Sequence, residues 1–104
     1  MPRYITIWKL NLVTLPPDLK AQAKVWEAAF AALDGELKKG TLKEFGFFDA
    51  YSGYAISEGT SAEEFQSSVS WFPGVAMETH EAIPYEKGKQ IVRAVYKARL
   101  EAMK

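Results

Sequence analysis

A chain of 104 residues with 13 Lys plus Arg, 13 Asp plus Glu, one His and no Cys has the length of one domain, 1–104, and at 48% hydrophobic residues it can bury a core. These figures exclude a disulfide-stapled miniprotein, a thiol nucleophile and a metal centre built on Cys or on several His of one chain. A formal charge of zero and a pI near 6.6 leave no surplus of cations for phosphate, so no nucleic-acid partner is expected.

The opening stretch RYITIWKLNLV (3–13) is rich in β-branched and aromatic residues and ends at Thr14-Leu15-Pro16-Pro17, which predicts a strand. Its apolar run is interrupted by Lys9 and Asn11, and no stretch of the chain approaches the ~18 apolar residues that span a bilayer. A cytoplasmic protein with no membrane partner is therefore expected. Pro16 and Pro17 can open a helix with Asp18 in its positive first turn. Val25, Trp26, Ala29, Phe30, Leu33 and Leu37 then recur at helical spacing, and Lys38-Lys39-Gly40 closes the segment. Residues 41–50 and 54–58 read as a hairpin through Tyr51-Ser52-Gly53. Thr60-Ser61-Ala62-Glu63-Glu64 offers two overlapping capping boxes, after which Phe65, Val69 and Phe72 form the stripe expected to be buried, until Pro73-Gly74 stops the helix. Residues 75–83 predict a fourth strand. From Lys89 to Lys104 a helix carries Val92, Val95, Tyr96 and Leu100 on one side and Lys89, Arg93 and Lys97 on the other.

The order βαββαβ plus a terminal helix predicts an α+β, ferredoxin-like domain with both crossover helices on one face of an antiparallel sheet. The first strand, however, is apolar on both sides: Ile5 and Ile7 point one way, Tyr4, Trp8 and Leu10 the other. A face so rich in apolar groups needs cover, and an identical sheet stacked on it gives an isologous homodimer. The competing solution is the terminal helix folding back over its own sheet.

The segments YITIWKLNLVTLP, Gly40-Thr41, Tyr51 to Tyr54, and Phe72-Pro73 followed by VAMETHEAIPY resemble muconolactone isomerase and related uncharacterised proteins of the dimeric α/β-barrel superfamily. The resemblance implies a dimeric α/β barrel closed by two sheets. It implies no particular reaction, because that superfamily includes isomerases, monooxygenases, haem-degrading enzymes and plain ligand binders. Asn11, Trp71 and His80 invite comparison with the haem-degrading members, but there the His lies on a helix, whereas His80 falls in a predicted strand. No cofactor and no metal are expected.

Glu78 and His80 are two apart on a strand and project from one face, a pairing suited to proton transfer near neutral pH. They are the candidate catalytic residues. Lys9 and Asn11, with Asp49, could anchor a small organic ligand in an aromatic pocket with Trp8, Phe47 and Tyr54. Two functions follow: a homodimeric binding or assembly module, or a cofactor-independent isomerase- or monooxygenase-like enzyme acting on a small unsaturated acid, lactone or aromatic compound. Charge is also uneven. Residues 44–86 hold eight acidic groups and no Lys or Arg, whereas 87–104 hold six basic groups against Glu101 alone, so the last helix is expected to dock near the acidic half, within or between subunits.

Overall fold

Alternation and capping in the sequence resolve into seven elements in the computed structural model, which describes residues 2–104: β1 (Arg3–Leu10), α1 (Leu19–Lys39), β2 (Leu42–Phe47), β3 (Ser52–Glu58), α2 (Ser61–Trp71), β4 (Val75–Ala82) and α3 (Tyr85–Ala102). The four strands pair antiparallel in the order β2-β3-β1-β4. This α+β architecture is compatible with the expected ferredoxin-like fold.

Local chemistry sets the boundaries and shifts several from their expected places. β1 stops at Leu10 because Asn11 turns away: its backbone N–H donates to Gly74 O and its side chain accepts from Val13 N. Asp18 caps α1 rather than joining its first turn, accepting from Ala21 N at 3.1 Å, and both prolines precede the helix. Gly40 ends α1 in the left-handed region, φ 83°, donating to Glu36 O and Leu37 O. Of the two capping boxes, Thr60 with Glu63 forms, while Glu64 instead accepts a hydrogen bond from Ser57 Oγ. The last helix begins at Tyr85, ahead of Lys89, and runs through Gly88.

Packing divides the sheet. On one face Tyr4, Thr6 and Trp8 are 7%, 6% and 3% exposed. Trp8 stacks on Phe45 with ring centroids 5.2 Å apart and meets the edge of Phe47 at 5.5 Å, while Trp26 of α1 reaches Phe47 at 5.9 Å. Gly53 makes room for this cluster: a Cβ there would run into the Gly46 carbonyl oxygen and lie 2.6 Å from the indole. Thr6 and Thr79 satisfy one another across the strands at 2.9 Å.

One packing expectation is overturned, and the competing cover for the open face is not found. Phe65, Val69 and Phe72 are not buried but 71%, 57% and 73% exposed. The half-buried residues of α2 are Glu64, Ser68 and Trp71. The Glu64–Ser57 hydrogen bond pins that side to the sheet, and each helical residue turns about 100° from the last, so the apolar stripe is left facing sideways. Nor does α3 fold back over its own sheet. It packs against no other element, and the molecule extends 69 Å with a radius of gyration of 18.6 Å, against about 13 Å for a compact chain of this length.

Candidate functional site on the open sheet face

Strand register builds the second face of the sheet row by row. One row reads Glu44, Ile56, Ile5, His80; the next reads Gly46, Tyr54, Ile7, Glu78. No helix covers them. Ile5 and Ile7 are 41% and 39% exposed, although they alternate with the most buried residues of the chain. The result is an apolar floor of three isoleucines and a tyrosine ring, bounded by Glu44 on the β2 side and by Glu78 and His80 on the β4 side.

Polar groups close both ends. Glu58 lies 3.7 Å from Arg3 and 3.6 Å from Lys43. At the other end Lys9 Nζ sits 5.8 Å from the centre of the Tyr51 ring, and Phe48 stacks on Tyr54 at 5.7 Å. Tyr54 donates its hydroxyl hydrogen bond to Glu44, and this bond, with some desolvation and the Glu44 charge, raises its pKa above the ordinary 10.0. Gly46 leaves space for that ring: a Cβ there would collide with Tyr54. His80 Nε2 lies 3.4 Å from Glu78 Oε2, with both side chains exposed.

The candidate residues therefore separate. His80, Glu78, Lys9 and Tyr54 share the open face. Trp8 and Phe47 lie on the other side of the sheet, in the cluster beneath α1, so the single aromatic pocket joining them to Tyr54 does not form. Asn11 and Asp49 serve turns. Asp49 accepts from Tyr51 N and Ser52 Oγ, both at 2.9 Å. Chiefly through the Tyr51 bond, its carboxyl is held below the ordinary 3.8, with help from Ser52 and the Lys9 charge. Glu44 and Ile56 were missed as members of this face. For Glu44, a bulge between Leu42 and Glu44 shifts β2 relative to β3 and hides which of its residues share a side, whereas Ile56 shares the side of Tyr54 by simple alternation along β3.

Two concavities occur at the root of α3, and neither is lined by Glu78 or His80. Among the described residues no group of three His, Cys, Asp or Glu side chains is placed to hold a metal ion, and no helix is long and apolar enough to cross a membrane. Compared with known proteins, the chain matches no family model and no curated protein. The resemblance to muconolactone isomerase rests on the segments quoted above alone.

Proposed function

We propose that the protein is a cytoplasmic homodimeric assembly and small-molecule-binding module of the α/β-barrel type. In this reading the open face of one sheet packs on the same face of a second copy, and a small organic ligand binds between them. The observation that carries it is the exposure of Ile5 and Ile7, 41% and 39%, beside neighbours on β1 that are nearly inaccessible. A two-fold axis through such a face matches apolar floor to apolar floor without needing a second protein. The carboxylates at its margins and Lys9 would remain as polar anchors around the shared space. Sedimentation equilibrium at micromolar concentration tests the assembly: twice the chain mass of 11.7 kDa is expected. Ile7→Glu should reduce it to the single-chain mass by placing a charge in the apolar contact. A wild-type chain that stays folded and monomeric overturns the proposal.

The 3.4 Å approach of His80 to Glu78 favours a second reading, a cofactor-independent isomerase- or monooxygenase-like enzyme. Enclosed between two sheets, the imidazole would exchange a proton with a small unsaturated acid, lactone or aromatic compound while Glu78 orients it. A panel of unsaturated acids and lactones incubated in heavy water tests this. Deuterium uptake that is lost in His80→Ala and reduced in Glu78→Gln supports the enzyme; no uptake, or uptake unchanged in His80→Ala, removes it.

A further inference from the structure

We infer that α3 is an exchanged arm: its apolar stripe docks on the sideways-facing stripe of α2 in a second copy of this chain. The inference rests on the homodimer proposed above and adds a contact that the pairing of sheet faces does not supply.

Surface area gives the first ground. The chain exposes 7941 Å², about 2,000 Å² more than the roughly 5,900 Å² expected of a compact monomer of its mass. A standard interface takes about 800 Å² from each partner, and the bare apolar surface is not confined to the open sheet face. Two further apolar surfaces lie bare. One is Phe65, Val69 and Phe72 on α2; the other is Val92, Val95, Tyr96 and Leu100 on α3. At the base of the α3 stripe is an open, apolar notch of about 470 Å³, lined by Ile83, Tyr85, Gly88 and Val92 among others. Gly88, with only Ile83 nearby at 3.8 Å, leaves the notch unobstructed for a side chain from outside.

Charge selects which surface α3 meets. Five basic groups on α3 (Lys87, Lys89, Arg93, Lys97 and Arg99) against Glu86 and Glu101 oppose pairing of α3 with its own copy, because the same cations would face each other. Helix α1 carries Lys20, Lys24, Lys38 and Lys39 against Glu27, Asp34 and Glu36, so it offers no acidic surplus to α3. The hairpin turn, α2 and β4 lie within residues 44–82, which carry seven acidic groups and no Lys or Arg. The stripe on α2 is thus the bare helical surface set in a region free of cations. Docking within one chain is not the arrangement seen, since α3 touches none of its own elements.

The absence of cysteine makes the test clean. Full-length chains carrying Val69→Cys or Val95→Cys alone are each prepared, then mixed, re-equilibrated and treated with a short bismaleimide. The expected result is a covalent species of twice the 11.7 kDa chain mass in the mixture, at least tenfold above that in either variant alone. A chain carrying both substitutions should link mainly between copies. Mainly internal linkage in that double variant would mean that α3 folds back on its own α2. Linkage of Val95→Cys to itself would mean that α3 pairs with α3. Either overturns the inference, as does no linkage at all. Sedimentation of the same samples separates the two proposals: a dimer without the 69–95 link loses the arm and keeps the sheet contact, while a monomer loses both.

Discussion

The two sides of β1 are built from consecutive residues of the same strand yet meet different fates. Trp8 sits in a cluster of aromatic rings supported by α1, whereas Ile7 has only strand neighbours beside it and open space above. Strand alternation sends apolar side chains both ways, but two crossover helices can cover only one way. What separates a core residue from a docking residue here is topology, not residue type. The largest expected effect tests that difference directly. Trp8→Ala should cost about 3–5 kcal/mol at any protein concentration, because it empties a filled site. Ile7→Ala should cost less than about 1.5 kcal/mol in dilute solution and more as concentration rises, since its cover comes from a second chain. Urea unfolding across a hundredfold range of concentration reads both. A concentration-independent loss at Ile7 equal to that at Trp8 would mean that the open face is covered within one chain.

The same contrast explains what the sequence made legible. Element order, the Thr60–Glu63 cap and the Gly40 stop all depend on short-range chemistry, and each is found where local pattern places it, whereas the hairpin turns earlier, at 48–51, and Ser52 and Gly53 fall within β3. The doubly apolar character of β1 was equally readable, because a period of two needs no partner to be seen. Which row lay under the helices was not readable, since Tyr4/Trp8 and Ile5/Ile7 are both apolar and only the crossover geometry chooses between them. The sequence pattern groups Trp8 and Phe47 with Tyr54 for the same reason: aromatic type is visible and side is not. On α2 the spacing predicts that the apolar stripe is the buried one, yet Glu64, Ser68 and Trp71 are the half-buried residues, with Glu64 held to the sheet by a hydrogen bond from Ser57. His80 and Glu78 could be placed together because they share a strand and lie two apart. Glu44 could not, because its position opposite Ile56 depends on a bulge and a strand register that no local pattern encodes.

The smallest effect concerns α2, whose start is held locally even though its apolar side is bare. Thr60 Oγ1 accepts from Glu63 N at 3.2 Å, and the Glu63 carboxylate accepts from Thr60 N at 2.9 Å. That bond from the Thr60 backbone, followed by the one involving its side chain, holds the Glu63 carboxyl below the ordinary 4.5. A carboxyl depressed in the native state contributes stability above its unfolded pKa and loses it as pH falls through the native value. The contribution is therefore complete at pH 6 and fades in acid below pH 4.5. Thr60→Ala should cost about 1 kcal/mol at pH 6. Glu63→Gln should be less stable than the wild type at pH 6 and should approach it at pH 3, where the wild-type carboxyl is itself protonated. Urea midpoints at the two pH values read the difference. An equal gap at both would show that Glu63 acts on the start of α2 through packing rather than through its charge.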